Sequence, residues 1–372
     1  MSHLTYLESA VVGMIQGVSE MFPVSSLGHN VLIPAIVGGS WARDLNVASP
    51  ESPYLAFIVG LHVATAIALL IYFWRDWLRI IGGFLSSLRD RRVETADQKL
   101  AWMIILATIP VGIVGLVFEH TFRVLFAKPI LAGIFLMVNG LILLAGERYR
   151  TRASLAADVS VAAERDQAAR EPAARKPAFR ASPVPASPVP ESTGLQPGLL
   201  ASAEPELAAH GQALPVPASH RRQQTGGLAP REAEVADARR ADRRLAGMRY
   251  PQAVIIGSAQ ILALLAGISR DGVTMVAGMG RGLSREDAAR FAFLLATPVI
   301  LAAGALKIPD LLGPLGNGIH GQILLGSVLS GVGAYLAVRF LLRYLRTRTL
   351  TPFGIYCLVA GLASVVYLGL VR

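Results

Sequence analysis

The sequence predicts an all-α polytopic membrane protein with an inverted-topology repeat, about six transmembrane helices and two re-entrant helical hairpins. Composition, the length of the apolar runs and the placement of basic residues predict this class. Hydrophobic residues make up 53% of the 372 residues and only 16% are charged, whereas about a quarter of a soluble chain is charged. The apolar runs are about 20 residues long, enough to cross a hydrocarbon core of roughly 30 Å. The candidate spans are 54–73, 100–118, 130–146, 290–308, 322–342 and 352–370.

The basic residues indicate which loops face the cytoplasm. The net charge is +10, and the lysines and arginines concentrate in the loops 75–99, 148–249 and 343–348, while the alternating loops hold few. The positive-inside rule therefore places these basic loops in the cytoplasm and both termini on the outer face. The basic excess is a topology signal, and we expect no nucleic-acid partner.

A long segment between the membrane halves differs in composition from both of them. Residues 151–247 hold about half of the 22 prolines and are otherwise rich in Ala, Arg, Glu and Gln, with almost no aromatic residues. Such a segment cannot bury enough apolar surface to offset the entropy of the chain. We therefore predict a first membrane repeat over 1–150, a disordered cytoplasmic loop over 151–247 and a second membrane repeat over 248–372.

Two apolar segments are interrupted by polar backbone and do not resemble ordinary spans. Residues 11–29 begin as an apolar helix and break at Pro23, and residues 255–272 break at Gly267. Non-helical backbone at membrane depth is tolerated only where protein or a watery cavity surrounds it, so both segments predict re-entrant hairpins. When the two segments are aligned without gaps, four pairs of residues are identical: Gly13 and Gly257, Gln16 and Gln260, Ser25 and Ser269, and Gly28 and Gly272.

Each hairpin is followed by three predicted spans, which makes a repeat. The charge pattern has the first hairpin entering from the outer face and the second from the cytoplasm. The sequence therefore predicts an inverted-topology repeat whose two broken helices meet near the midplane of the membrane.

Several polar residues lie inside these apolar segments, where ionisable groups are costly and are functional candidates by default. The ionisable ones are Glu20, His29, Arg270 and Asp271. The hydroxyl residues beside the same breaks are Ser25, Ser26, Ser269 and Thr274. An arginine fork matches phosphate oxygens, and backbone N–H groups at a helix start add donors for an anion. If the repeat brings both breaks together, the combined set favours phosphate chemistry.

Structural roles stay open for many of these residues. A buried ion pair between Glu20 and Arg270 accounts for both side chains without catalysis, and His29 also fits a satisfied interior position. Side-chain amides are common between packed membrane helices, and hydroxyls are common helix caps. Helix packing is the structural alternative to a role at the site for Gln16, Gln260, His62 and Thr65. Helix capping is the structural alternative for Ser25 and Ser269.

Two motifs resemble signatures of the bacterial undecaprenyl-diphosphate phosphatase family, which is of the bacitracin-resistance type. QGVSEMFPVSSLGH at 16–29 is similar to that family's Glu/Gln-x-x-x-Glu running into Pro-x-Ser-Ser-x-Gly-His. GISRDGVT at 267–274 is similar to its Pro-Gly-x-Ser-Arg-Ser-Gly-x-Thr. Supporting stretches are LHVAT at 61–65, YFWRD at 72–76 and ARFAFLL at 289–295. The resemblance covers both membrane halves and leaves out only the long loop.

The resemblance implies hydrolysis of undecaprenyl diphosphate to undecaprenyl phosphate, which recycles the lipid carrier for peptidoglycan synthesis. It also implies dependence on Mg²⁺ or Ca²⁺ and an inner-membrane protein whose active site opens to the outer face. The implied catalytic residues are Glu20, Ser26, His29 and Arg270. The candidate substrate-binding residues are Gln16, Ser25, Ser269, Asp271, Gly272 and Thr274. The candidate metal ligands are Glu20 and Gln16, together with Asp271.

The chain departs from the family pattern at three positions. Ala266 replaces the usual Pro, Leu27 replaces a small polar residue, and Asp271 replaces the second Ser of Ser-Arg-Ser-Gly. A carboxylate beside a phosphate clamp repels phosphate unless a cation or Arg270 neutralises it. Asp271 therefore puts the efficiency of the enzyme and its use of cations in question.

The sequence leaves further questions open. The nucleophile is Ser26, His29 or an activated water. The alternative function is a transporter or flippase of a polyprenyl phosphate lipid, since inverted repeats with broken helices are also a transport architecture. The expected partners are the polyprenyl diphosphate lipid and the bilayer, and a homodimer stays open.

Overall fold

The computed structural model is built from helices. It describes residues 4–45, 53–126, 128–170, 230–313 and 318–371, and no β-strand forms within these ranges. The all-α class predicted from the sequence is confirmed. The elements are α1 (Tyr6–Met21), α2 (Ser26–Val37), α3 (Gly39–Asp44), α4 (Pro53–Tyr72), α5 (Trp74–Asp90), α6 (Ala96–Phe126), α7 (Pro129–Arg170), α8 (Pro230–Ala246), α9 (Tyr250–Ser258), the 3-10 helix η1 (Ala259–Leu264), α10 (Arg270–Gly280), α11 (Arg285–Leu312), α12 (His320–Tyr344) and α13 (Thr351–Val371).

Five stretches of the described helices are long and apolar enough to cross a membrane. They are Ala96–Phe118, Pro129–Ala153, Arg285–Leu306, His320–Tyr344 and Thr351–Val371. A sixth is counted if α4 and α5, which are bent by 84° relative to each other, form one broken span. The polytopic membrane class and the expectation of about six spans agree with the structure.

The helix after this bend is amphipathic. The exposed apolar residues of α5 recur at helical spacing and form one face. They are Trp74, Leu78, Ile81, Leu85 and Leu88. The opposite face packs on α6, where Ser87 Oγ accepts a hydrogen bond from Trp102 Nε1 at 3.0 Å. This pattern is typical of a helix that lies in the interface of a bilayer.

The first hairpin consists of α1 and α2, separated by a short break. α1 begins with a capping box between Thr5 and Glu8, and it ends where Phe22 adopts an extended conformation ahead of Pro23. α2 restarts at Ser26, with the Ser25 hydroxyl accepting from the Gly28 N–H at 3.2 Å. Both helices are shorter than the roughly 20 residues that span a bilayer, so the predicted break and restart are present.

The second hairpin has the same plan. α9 and η1 run to Leu264, and α10 restarts at Arg270 with the Ser269 hydroxyl accepting from the Gly272 N–H at 3.1 Å. Between them Gly267 has φ 113, a left-handed conformation that side chains disfavour. The loss of proline at position 266 therefore does not remove the break.

The two breaks lie against each other. Asn139 of α7 is buried between them: its Nδ2 donates to the Pro23 carbonyl at 2.9 Å, and its Oδ1 accepts from the Ser269 N–H at 3.0 Å. A Cβ placed on Gly28 would lie 2.9 Å from the Gly267 Cα, so this approach requires glycine. The hairpins therefore converge as expected, while their insertion from opposite leaflets stays a prediction.

Helix extends into both ends of the segment predicted to be disordered. α7 continues to Arg170 and α8 covers Pro230–Ala246, whereas residues 171–229 lie outside the described ranges. The chain divides into one compact unit of Met1–Ala156 with Glu234–Arg372, which contains all the candidate spans, and a second of Ala157–Ala233. The boundaries placed at residues 151 and 247 therefore do not coincide with the ends of helical structure.

Ion pairs explain why the end of α8 belongs with the membrane helices. Asp242 is 1% exposed and pairs with Arg79 of α5 and with Arg290 of α11, whose Nε lies 3.0 Å from Asp242 Oδ1. Arg244 donates to Asp287 at 2.8 and 2.7 Å, and these hydrogen bonds raise the pKa of the Arg244 guanidinium. Composition alone did not reveal these partners, because they lie far away in the sequence.

We expect Asp242→Asn to destabilise the folded protein by about 3 kcal/mol, because it removes the buried carboxylate that Arg79 and Arg290 share and leaves Asp76 and Asp97 to neutralise both guanidinium groups. The measurement is the thermal midpoint of the purified protein in detergent. Asp237→Asn is the control on the same helix, since Asp237 forms an exposed pair with Arg240 and its loss should change stability by less than about 0.5 kcal/mol. Equal midpoints for the two variants would contradict the assignment.

Candidate functional site

Glu20 lies at the centre of a buried polar cluster near the end of α1. Its side chain is 5% exposed. Glu20 Oε2 accepts hydrogen bonds from Gln16 Nε2 at 2.9 Å and from the Ser26 hydroxyl. Glu20 Oε1 accepts one from the Arg270 guanidinium, which is its ion-pair partner. The structure thus brings residues from the two hairpins into direct contact.

His62 of α4 joins the same carboxylate. Its Nε2 lies 3.3 Å from Glu20 Oε2, and its Nδ1 lies 2.8 Å from the Ile58 carbonyl, to which it donates. From sequence, His62 was open between a role at the site and packing, and the structure places its ring against Glu20. Thr65 instead donates to the His62 carbonyl at 2.7 Å and is fully buried. We refer to Glu20 with Gln16, Ser26, His62 and Arg270 as the Glu20 cluster.

Gln16 connects this cluster to a second buried amide. Its Oε1 accepts from Asn30 Nδ2 at 2.5 Å while its Nε2 donates to Glu20. Both ends of the Gln16 amide are therefore occupied by protein groups. The aligned Gln260 has both amide atoms buried without a hydrogen-bond partner, because Leu264 stands four residues later where the first hairpin has Glu20. The two hairpins therefore have a similar backbone plan, but only the first has a carboxylate at this position.

His29 faces away from Ser26. Its Nδ1 lies 2.7 Å from the Ser25 carbonyl, and its Nε2 lies 2.7 Å from the Tyr356 hydroxyl of α13. The two rings are parallel, with centroids 5.8 Å apart. Since the carbonyl only accepts, Nδ1 is the donor there, and Nε2 is left to accept from the Tyr356 hydroxyl. Ser26 bonds to Glu20 instead, so the Ser26 hydroxyl and the His29 ring have different partners.

We expect Tyr356→Phe to lower kcat about tenfold with little change in KM, less than the roughly hundredfold that loss of a full acid–base group causes. The stacked ring remains, but His29 Nε2 loses the hydrogen bond that orients it. Steady-state phosphate release against substrate concentration is the measurement. Tyr367→Phe, about three turns further along the same helix, is the control. An unchanged kcat in Tyr356→Phe would exclude a contribution from this hydroxyl.

The hydroxyl residues beside the breaks have local partners. Ser25 and Ser269 cap α2 and α10, which was the alternative considered from sequence. The Thr274 hydroxyl donates to the Arg270 carbonyl at 2.7 Å. Gly272 supplies the N–H that the Ser269 cap accepts. These residues therefore shape two helix N-termini at the cluster, and the amides of such termini are suited to bind an anion.

The Asp271 carboxyl group is buried beside Arg270 without a hydrogen-bond partner. It is 1% exposed, and both carboxyl oxygens are buried without a hydrogen bond. The nearest guanidinium atom is Arg270 Nε, 3.9 Å from Asp271 Oδ1. An unpaired carboxylate is costly to bury. Two carboxylates, Asp271 and Glu20, thus flank a single arginine, and carboxylates are the side chains that a divalent cation such as Mg²⁺ prefers as ligands.

The protein supplies few ligands for such a cation. Among the described residues, no group of three or more His, Cys, Asp or Glu side chains is arranged to hold a metal. Mg²⁺ is commonly held by one or two carboxylates together with water and substrate phosphates. The arrangement is therefore compatible with a cation that shares its coordination between the protein and a phosphorylated ligand.

Three residues at the site were missed by the sequence interpretation: Asn30, Asn139 and Tyr356. Asn30 and Asn139 are polar residues in apolar segments, and that signal was available. Tyr356 gave no such signal, because a tyrosine in an apolar run is common at membrane interfaces. Its partner His29 lies far away in the sequence.

The fold and the cluster together define a polytopic membrane protein with a site suited to phosphate chemistry. The chain belongs to the family described as bacitracin resistance protein BacA, whose model matches residues 9–169 and 225–363. Both matched ranges contain residues of the Glu20 cluster. The family assignment confirms the resemblance seen in the two motifs.

Curated relatives cover the whole chain. Undecaprenyl-diphosphatase 1 of Frankia casuarinae is 52% identical over 385 aligned residues, covering 100% of both chains. Undecaprenyl-diphosphatase of Mycolicibacterium paratuberculosis is 52% identical over 369 residues, covering 99% of each. Undecaprenyl-diphosphatase 2 of Chromobacterium violaceum is 34% identical, covering 97% of this chain and 98% of its own.

Proposed function

We propose that this chain hydrolyses undecaprenyl diphosphate to undecaprenyl phosphate and phosphate, and so recycles the lipid carrier for cell-wall synthesis. The family and the relatives named undecaprenyl-diphosphatase support this activity. The observation that carries it is the contact of Glu20 with both Ser26 and Arg270, where two helix N-termini meet. A carboxylate, a hydroxyl and a guanidinium at such a point provide a base, a nucleophile and a phosphate clamp.

The contacts support Ser26 as the nucleophile and Glu20 as its base. A nucleophile is recognised by a hydrogen bond to a base that a third group orients. Ser26 donates to Glu20 Oε2, and His62 Nε2 lies 3.3 Å from the same oxygen. Attack of Ser26 Oγ on the terminal phosphorus forms one P–O bond and breaks the bridging P–O bond, releasing undecaprenyl phosphate. Glu20 takes the serine proton, and water then hydrolyses the phosphoserine.

Arg270 is suited to hold the phosphate that is transferred. Its guanidinium projects from the first residue of α10 and donates to Glu20. Its Nε is buried without a hydrogen-bond partner, so the fork has a free donor for a phosphate oxygen. A bidentate arginine–phosphate contact is among the strongest charge-assisted hydrogen bonds.

We propose Glu20 and Asp271 as the residues that hold the divalent cation. Both carboxyl oxygens of Asp271 are buried without a hydrogen-bond partner, which supports this assignment. Such an ion neutralises charge on transferring phosphates. Gln16 orients Glu20 in this proposal, since both ends of its amide are engaged. Mn²⁺ binding by the Asp271→Ser variant, followed by electron paramagnetic resonance, tests the assignment, and unaltered binding would exclude Asp271.

The test of the proposed function is phosphate release from undecaprenyl diphosphate by the purified protein in detergent. Detergent removes the two separated compartments that transport requires, so release there can only be catalysis. A flippase without phosphatase activity would release nothing above background while still moving polyprenyl phosphate in vesicles. The Ser26→Ala variant is the negative control, because it removes the proposed nucleophile.

The finer location is part of the same proposal. The charge pattern supports an inner-membrane protein with the long loop in the cytoplasm and the active site open to the outer face. Labelling from either side of a cysteine at Arg91, in a Cys357→Ser background, distinguishes the two orientations. The oligomeric state stays a prediction, to be measured as the mass of the detergent-solubilised particle.

A further inference from the structure

A basic and aromatic surface lies at the C-terminal end of α12, away from the Glu20 cluster in sequence. A shallow cavity of about 470 Å³ is formed there by residues three and four apart on one face of α12, together with Thr347 and Arg348 just after the helix. Its lining residues are Leu336, Arg339, Phe340, Arg343, Tyr344, Thr347 and Arg348. We call this surface the α12 arginine face.

The α12 arginine face carries positive charge that no carboxylate in the described part of the chain neutralises. Arg339, Arg343 and Arg348 are all exposed, and no described carboxylate forms an ion pair with any of them. Their neighbour Arg346, which points out of this face, is paired with Glu286 at 2.9 Å. Clustered guanidinium groups repel one another, so this face is complementary to an anion.

An apolar ridge leads directly into the arginine face. Exposed residues recur every fourth position along α12, each between 51% and 66% exposed. They are Leu324, Val328, Val332, Leu336 and Phe340. At 1.5 Å per residue the ridge is on the order of 24 Å long, close to the thickness of the hydrocarbon core. A ligand that fits both surfaces is apolar along its length and anionic at its end.

The aromatic side chains fix the position of this face. Phe340 packs on Phe22, with ring centroids 5.9 Å apart, and stacks on Tyr344 at 5.6 Å. Tyr344 also meets Phe353 edge to face at 5.7 Å. The Tyr344 and Thr347 side chains add hydroxyl donors beside the guanidinium groups. The part of the face that lies on α12 is therefore fixed by packed aromatic rings, and Thr347 and Arg348 follow directly in the short connection to α13.

We propose that the α12 arginine face binds the phosphate-bearing headgroup of an anionic membrane phospholipid, with an acyl chain lying along the ridge. Arginine forks and hydroxyls recognise the phosphate, and basic pockets at the ends of membrane helices bind such headgroups. Inorganic phosphate alone does not account for this surface, because a free ion makes no contact with the apolar ridge. This site is independent of the phosphatase activity.

The test compares lipid binding by the purified full-length protein and its variants. Lipid retention by native mass spectrometry and the thermal midpoint are measured with phosphatidylglycerol, phosphatidylcholine, polyprenyl phosphate or inorganic phosphate added. We expect stabilisation by phosphatidylglycerol alone, and an apparent affinity that falls about fivefold in Arg343→Gln and roughly a hundredfold when Arg339, Arg343 and Arg348 are all changed to Gln. Phosphate release should be unchanged, which shows that the variants fold.

Arg346→Gln is the matched control, since it removes a neighbouring arginine that lies outside the face. Several results would overturn the proposal. These are equal stabilisation by phosphatidylcholine or by inorganic phosphate, preferential retention of polyprenyl phosphate, and an equal loss of affinity in Arg346→Gln. If the triple variant does not fold, full retention of phosphatidylglycerol by Arg343→Gln overturns it as well.

Discussion

Replacing Arg270 with alanine should lower kcat/KM for undecaprenyl diphosphate at least about a hundredfold, the scale of losing one preorganised charge-stabilising group. Arg270 is the cation in direct contact with Glu20, and it stands at the first residue of α10. Without it, the incoming diphosphate loses its guanidinium clamp and Glu20 loses its ion-pair partner. Binding and transition-state stabilisation should therefore both weaken. The measurement is initial-rate phosphate release over a range of substrate concentrations.

Arg270→Lys separates charge from geometry. Lysine keeps the positive charge but lacks the planar fork that pairs with two phosphate oxygens, so we expect it to recover only a small part of the lost rate. Arg285→Lys is the matched control, because Arg285 forms a similar pair with Glu147 outside the site. Full activity in Arg270→Lys would show that a bidentate contact is not needed. A large loss in Arg285→Lys would mean that the effect is structural.

Much of the hairpin architecture could be predicted because its signals are local. Pro23 and Gly267 interrupt apolar helices, and the serines at 25 and 269 are natural caps, so the breaks were visible in sequence. The meeting of the hairpins was predicted through the repeat. The side chain that joins them, Asn139, was not, because its partners are backbone groups of two remote segments.

The sequence predicted which residues form the site better than it predicted which of these residues contact each other. Ser26 and His29 are three residues apart, a spacing that allows both to share one helix face. In the structure Ser26 donates to Glu20, whereas His29 Nε2 lies against the Tyr356 hydroxyl. Spacing along a helix specifies which residues share a face, whereas the direction of a side chain depends on what the neighbouring helices offer. Tyr356 comes from α13, and only the tertiary fold brings it there.

The second large effect is expected from Glu20→Gln, which should reduce kcat at least about a hundredfold, as for loss of a general base. Glutamine keeps the size of the side chain and much of its hydrogen bonding, so Gln16 and His62 retain a neighbour. It removes the negative charge that pairs with Arg270. It also removes the base, because a neutral amide does not take up the proton of the Ser26 hydroxyl. A loss confined mainly to kcat would identify this chemistry, while a loss confined to KM would contradict it.

Glu147→Gln is the control that distinguishes catalysis from stability. Glu147 is also buried, at 5% exposure, and also pairs with an arginine, Arg285. Both substitutions break a buried ion pair and should lower the thermal midpoint, but only Glu20→Gln should remove turnover from the protein that remains folded.

A double variant tests whether Glu20 and Arg270 act as one unit. If they do, kcat of Glu20→Gln combined with Arg270→Ala should be little lower than kcat of either single variant, since effects within a catalytic unit are not additive. Additive losses would instead mean that the two residues act independently, and that the contact between them serves the fold rather than the reaction.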